Sequence, residues 1–152
     1  MTTGRAVAVI AVVLALCTVA GRAEAGCTIS TIGVAFGNYD VFSATSLTTT
    51  GAIMLDCKKK DKRVSIQLST GSSGTYVSRT LRGAGADVLN YNLYIDGPNG
   101  PIWGNGTGGT SFFSDSRIGD TAVVLTVYGR ISPWQDVRAG AYSDSVVAEV
   151  NF

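Results

Sequence analysis

Short apolar runs that alternate with polar residues at every second position limit the fold of this chain more than any other feature. Val64, Ile66 and Leu68 alternate with Ser65, Gln67 and Ser69, and Leu89, Tyr91, Leu93 and Ile95 alternate with Asn90, Asn92, Tyr94 and Asp96. Successive side chains of a strand point to opposite faces, so this pattern places one face in a core and the other in water. Further β-rich runs occupy Cys27 to Phe36, Gly51 to Cys57, Ala122 to Ile131 and Ser145 to Phe152, separated by clusters of Gly, Ser, Asn, Asp and Pro. Beyond the N-terminal leader no window combines a helix start, an apolar 3.6 period and a stop, and 19 glycines disfavour long helices. The expected architecture is all-β, an antiparallel β-sandwich.

The leader sets the compartment. Arg5 precedes an apolar run from Ala6 to Ala20, and Ala23-Glu24-Ala25 places small residues at the two positions a signal peptidase reads. Residues 1–25 are expected to be a secretory signal peptide and residues 26–152 one mature domain. The apolar run is shorter than the roughly 20 residues of a membrane-spanning helix, which argues against a stable membrane anchor. The bulky Leu16 ahead of Cys17 argues against lipidation. Cleavage leaves Cys27 and Cys57, and an even pair in an oxidising compartment is expected to be a disulfide. In the chain-entropy model, closing that loop contributes about 3.6 kcal/mol. Of 12 basic and 11 acidic residues, Arg5, Arg22 and Glu24 leave with the leader, so ten of each remain. Such a balance gives no reason to expect nucleic acid as a partner.

The sequence offers little for catalysis. It contains no His, the usual general base and the commonest transition-metal ligand, so the chain is not expected to be an enzyme. Asp115 and Asp120 flank Arg117 in a polar stretch, where acidic residues ordinarily solvate or cap turns. Lys58-Lys-Lys-Asp-Lys-Arg63 lies between two strand candidates and reads as a solvated hairpin turn. Gly104, Gly106, Gly108 and Gly109 lack the Lys-Ser or Lys-Thr pair and the helix of a phosphate loop. Asn105-Gly-Thr107 matches a glycosylation triplet, which matters only in a secretory system that uses it. Asp96, Asn99 and Asn105 have no calcium-loop spacing, and Asp96-Gly-Pro-Asn-Gly100 reads as turn chemistry. No catalytic residue, cofactor or metal site is expected.

The run at the end of the chain is different. Val146, Ala148, Val150 and Phe152 fall on one face of a final strand, with Val147, Glu149 and Asn151 on the other. A hydrophobic strand at a sheet edge presents unpaired N–H and C=O groups, which suggests a site that another chain pairs.

Several strings, taken in order, resemble the spore coat protein U family: Cys27 followed by Val34-Ala-Phe-Gly-Asn-Tyr-Asp40, then Gly51-Ala-Ile-Met-Leu-Asp-Cys57, Arg79-Thr-Leu, Leu89-Asn-Tyr-Asn-Leu-Tyr94, Ile102-Trp-Gly-Asn-Gly106, Val127-Tyr-Gly-Arg-Ile131 and Gly140-Ala-Tyr-Ser-Asp144. Together they run through essentially the whole mature chain. The resemblance implies a pilin-like subunit of an archaic chaperone/usher system, an incomplete immunoglobulin-like sandwich that lacks its final strand. It implies as partners a periplasmic chaperone, which fills the gap first, an outer-membrane usher, and companion subunits whose N-terminal extension then replaces the chaperone. It also implies export through the periplasm to the cell surface, as a pilus or spore coat. The expected acceptor groove combines Val146, Ala148, Val150 and Phe152 with Ile29, Ile32 and Val34 of the first strand. Leaving four or five such side chains uncovered forfeits roughly 6 to 15 kcal/mol, comparable to the whole stability of a domain.

Only Gly26 separates the expected cleavage site from Cys27, whereas a donor strand needs about ten alternating residues. The subunit is therefore expected to accept a strand without donating one, which suits the tip of a fibre. Thr110-Ser-Phe-Phe-Ser114 places two aromatics on opposite sides of an extended segment, so Phe112 or Phe113 is a candidate adhesive contact with a surface or host receptor. Trp103, Tyr128, Trp134 and Tyr142 lie near the shared strings and are expected to be structural. The alternative function is a free-standing secreted binding module that recognises carbohydrate through Trp103 or Trp134.

Overall fold

The computed structural model describes residues 27–57, 62–118 and 122–152. The expected signal peptide, most of the Lys58–Arg63 stretch expected to form a hairpin turn, and Asp120 lie outside them. Among the described residues, eight strands form two antiparallel sheets. The larger contains β1 (Cys27–Ile32), β2 (Leu47–Cys57), β7 (Val123–Ile131), β5 (Val88–Tyr94) and β4 (Arg79–Arg82), in the order β1-β2-β7-β5-β4. The smaller contains β6 (Phe113–Ile118), β3 (Lys62–Leu68) and β8 (Ala148–Asn151), in the order β6-β3-β8. A short 3-10 turn, Gly71–Ser73, leads from β3 towards β4.

The period-two reading identifies the core-facing side chains. Ile53, Leu55 and Cys57 of β2, Val127 and Ile131 of β7, and Leu89, Tyr91 and Leu93 of β5 are buried, facing Val64, Ile66 and Leu68 of β3. Each such aliphatic side chain contributes about 1.5–3 kcal/mol. The Cys27–Cys57 disulfide joins residues directly opposite each other at one end of the β1–β2 ladder.

Two strands are absent from the expected set, and both are polar in sequence. β6 pairs with β3 through Val64, Ser65 and Ile66, although its sequence, Phe-Ser-Asp-Ser-Arg-Ile, has little apolar character. β4 begins at Arg79, a charged residue that is fully inaccessible. Its guanidinium donates from Nε and Nη2 to the Ser69 carbonyl (3.0 and 2.8 Å), from Nη2 to the Trp103 carbonyl (2.7 Å) and from Nη1 to Asn92 Oδ1 (2.6 Å). The Tyr76 ring lies 5.3 Å away. Burial lowers the pKa of this side chain. Its bonds tie the end of β3 to β4, β5 and the Trp103 bridge, and so join the two sheets.

The expected first strand, Cys27 to Phe36, divides in two. β1 stops at Ile32, and the chain then crosses the inner face of the larger sheet. A Cβ on Gly51 would lie 2.6 Å from the Ile32 carbonyl oxygen and 2.9 Å from Val34 Cγ2; one on Gly129 would lie 2.5 Å from Val34 Cγ1 and 2.8 Å from Phe36 Cζ. Both glycines occupy inward-facing positions, of β2 and β7 respectively. Their missing side chains form the channel through which residues 33–36 pass. The Thr49 hydroxyl donates to the Ala35 carbonyl at 3.0 Å and fixes the crossing in place. Among the described residues, no helix is long and apolar enough to cross a membrane.

Candidate functional site: a groove between the crossing segment and the C-terminal run

The crossing segment forms one wall of a cavity of about 890 Å3. Val34, Phe36 and Tyr39 stand on that wall, Leu81, Leu89 and Ile131 form the floor, and Val137 and Tyr142 stand on the opposite wall. Phe36 is held edge-on against Tyr91, with ring centroids 5.8 Å apart. Tyr39 donates its hydroxyl to the Ser132 carbonyl at 3.0 Å and accepts the Gln135 N–H at 2.9 Å.

The opposite wall is pinned from behind. Ser143 exchanges two backbone hydrogen bonds with Arg82 of β4 (2.8 and 3.0 Å), and a Cβ on Gly83 would meet the Tyr142 ring at 2.9 Å. Asp144 accepts from the Ser72 and Ser145 N–H groups through Oδ1 (2.9 and 2.8 Å) and from the Tyr91 hydroxyl through Oδ2 (2.8 Å). Burial pushes the Asp144 carboxyl upward, but the hydrogen bonds outweigh it and hold its pKa below the ordinary value. Tyr91 moves the other way: burial and then the bond to Asp144 raise its pKa. Farther along, Ser69 donates its N–H to the Val147 carbonyl and accepts the Val147 N–H on Oγ, both at 2.9 Å, so the run passes from the larger sheet to the smaller one.

β8 pairs with β3 alone among the described strands, leaving its other edge without a ladder. Val146, Ala148 and Val150 face inward and pack half-buried against the core, whereas Val147 is exposed. Phe152 follows the last paired residue and is 49% exposed.

The structure separates the expected first-strand residues. Val34 lines the groove. Ile29 lies opposite Leu55 on the inward face yet is 42% exposed, while Ile32, three residues on, points to the outer face opposite Ala52. An odd spacing in one strand cannot bring both to a single groove. Phe36, Tyr39, Leu81, Leu89, Ile131, Val137 and Tyr142 were missed as groove residues. Phe36 and Tyr39 fall within the Val34–Asp40 string, whose apolar residues do not reveal that the chain changes sheets.

Phe113 pairs with Ile66 and packs half-buried against the core, while Phe112 is partly exposed and its ring abuts Gly106. Trp103 is fully inaccessible, with Nε1 donating to the Ile66 carbonyl at 3.0 Å, so no sugar can stack on it. Trp134, expected to be structural, is 71% exposed and lies outside the buried core. Asn105 Oδ1 accepts from both the Thr107 N–H (3.0 Å) and hydroxyl (2.6 Å) within its own turn, and Asn99 accepts from Arg130.

A five-stranded sheet packed on a three-stranded sheet, with the smaller ending at β8, whose outer edge no described strand pairs, is an incomplete immunoglobulin-like sandwich of pilin type. The chain belongs to the Spore Coat Protein U domain family, whose model matches residues 7–149. It is 31% identical over 128 residues to Protein U of Myxococcus xanthus, spanning 77% of this chain and 70% of that protein. Its fold is similar to a chain of the CsuC–CsuE chaperone–tip adhesion subunit pre-assembly complex from archaic chaperone-usher Csu pili of Acinetobacter baumannii. The TM-score is 0.58 at 21% identity, covering 84% of this chain and 40% of that one. The Hda pilus minor tip subunit HdaB of E. coli aligns with a TM-score of 0.40 at 16% identity, over 81% of this chain and 79% of that one.

Proposed function

We propose that this protein is a structural subunit of a surface fibre or spore coat, assembled by a periplasmic chaperone and an outer-membrane usher, and that its groove accepts an extended strand from a companion subunit. The observation that carries this reading is the cavity of about 890 Å3 between residues 34–42 and 137–144, on the same run of chain that continues into the unpaired edge of β8. A strand entering there satisfies two needs together. Its alternate side chains fill space above Leu81, Leu89 and Ile131, and its backbone pairs with an edge that otherwise lacks a ladder. Val146, Ala148 and Val150 hold that edge against the core. Family membership and the pilin-type sandwich support the same reading.

The test is to co-purify the exported protein with its chaperone and challenge the complex with a synthetic peptide carrying a companion subunit's extension. Release of the chaperone and a more stable peptide complex are expected. A chaperone-free monomer that is stable and indifferent to the peptide overturns the proposal. The tip position turns on the mature N-terminus, which sequencing of the exported protein reads directly; a start well ahead of Gly21 removes it. The adhesive role of Phe112 and Phe113 fails if replacing both with Ser leaves attachment unchanged in a folded protein.

A further inference from the structure

Two strongly exposed aromatic side chains stand on loops joined by a single phenol. Phe42 is 88% exposed at the tip of a turn closed by Asp40, whose Oδ1 accepts the Phe42 N–H (2.9 Å) and whose carbonyl accepts the Ser43 N–H (3.1 Å). Trp134, 71% exposed, has a φ of 58°, in the left-handed region that bulky residues rarely adopt. Tyr39, bonded to Ser132 and Gln135, links the two loops.

The Trp134 conformation is held by a frame. Gln135 imitates a strand neighbour to Asn90: its Nε2 donates to the Asn90 carbonyl at 2.8 Å, and its Oε1 accepts the Asn90 N–H at 2.7 Å. The same Nε2 donates to the Ser132 carbonyl at 3.1 Å. Residues on both sides of Trp134 are thus fixed to β5 and Tyr39, and the indole is turned outward on a strained backbone. Strain that the surroundings enforce, together with an exposed Trp, points to a contact made in an assembly.

The place of this pair in the fold identifies the occupant. Ile131 lies on the groove floor and Val137 on its wall, so the loop 132–136, which itself does not line the cavity, connects the two; Phe42 lines the cavity from the other side. Every strand pairing within the two sheets is antiparallel. A segment that runs antiparallel to the 137–151 run therefore has its C-terminal end beside Trp134. For an N-terminal extension, the folded body of the donating subunit begins at that point.

We propose that Phe42 and Trp134 form a second docking surface, contacting the folded body of the companion subunit whose extension fills the groove. This rests on the groove reading above. The extension supplies the pairing, and the aromatic pair fixes how the two bodies sit at the joint.

The experiment compares two partners, the synthetic extension peptide alone and the whole companion subunit. The variant is Trp134→Gly, at an exposed residue that does not line the groove, and Gly accepts the observed backbone conformation without strain. Peptide exchange is expected to stay within about twofold of wild type, while the whole-subunit complex dissociates about 30-fold faster, the loss typical of a contact hot spot. The melting temperature of the peptide-bound variant is expected to rise by about 3 °C as strain is relieved. A whole-subunit complex as long-lived as wild type overturns the second surface, as does an equal loss for peptide and subunit. Wild-type protein that binds no peptide overturns the groove reading instead.

Discussion

Substituting alanine at Gly51 and Gly129 tests the crossing that builds the groove wall. In an ordinary strand, Gly→Ala is favourable by about 0.5–1 kcal/mol, because alanine loses less backbone freedom on folding. Here the added carbon at Gly129 meets Val34 Cγ1 at 2.5 Å and Phe36 Cζ at 2.8 Å. Carbon atoms at optimal contact lie about 3.5–4.0 Å apart, so the wall must retreat by roughly 1 Å or more. Overpacking of this kind costs about 1–3 kcal/mol, which exceeds the propensity gain and leaves Gly129→Ala destabilised by about 1–2 kcal/mol. At Gly51 the nearest atom is the Ile32 carbonyl oxygen, at 2.6 Å. Backbone cannot yield by rotating about a side-chain torsion, so Gly51→Ala is expected to cost more than Gly129→Ala. Urea denaturation of chaperone-released, peptide-bound protein reads both values, and peptide exchange reads the displaced wall. Two variants as stable as wild type, with unchanged exchange, refute the argument; a reversed order refutes its distinction between backbone and side-chain neighbours.

Other consequences are equally open to measurement. Arg79→Ala removes four hydrogen bonds to the Ser69, Trp103 and Asn92 oxygens and leaves buried carbonyls without that donor. A loss of about 3–5 kcal/mol is expected in urea melts, and Arg79→Lys, with one nitrogen in place of a planar fork, recovers less than half of it. Because the folded-state pKa of Asp144 is depressed, its contribution is complete above the unfolded-state value, about 3.9, and is lost as pH falls through the folded-state pKa. Thermal melts from pH 7 to 2.5 are expected to show a shallower acid decline for Asp144→Asn than for wild type. Replacing Cys27 and Cys57 with Ser opens a loop with a separation of 30 residues and costs about 3.6 kcal/mol, read as a lower urea midpoint.

The strands most legible in the sequence were those whose inward positions are aliphatic. Val64, Ile66 and Leu68 announce β3, and Leu89, Tyr91 and Leu93 announce β5, because burying one apolar face outweighs every local preference of the backbone. β2 extends back to Leu47 through Thr48, Thr49 and Thr50, whose hydroxyls hide strand-forming β-branched side chains in a run that looks polar. β4 was hidden because Arg79, the sort of residue that normally marks a surface, is satisfied by carbonyls brought together from Ser69 and Trp103. No local pattern encodes that convergence. The groove was legible only as an idea. The chain's departure after Ile32 is recorded in Gly51 and Gly129, residues 18 and 96 positions beyond Gly33, and its meaning appears only once β2 and β7 are paired. Trp134 was read only as structural, from its place beside shared strings; its outward orientation, positive φ and Gln135 frame depend on contacts with β5 and Tyr39 that no local pattern encodes.

The disulfide determines how the molecule bears load. Cys27 is the first residue of an edge strand held to the sheet on one side, and an edge strand pulled from its end peels one hydrogen-bond pair at a time, the least force-resistant way to separate a ladder. The bond to Cys57 sits at that end, where peeling would begin. Tension arriving from any chain ahead of Cys27 therefore bypasses the ladder and enters β2 covalently. β2 is an inner strand, bonded along its length to β7, so the pull becomes shear across many hydrogen bonds at once. The groove wall carried by residues 33–36, downstream of β1, lies outside that force path and keeps its shape while the joint is loaded.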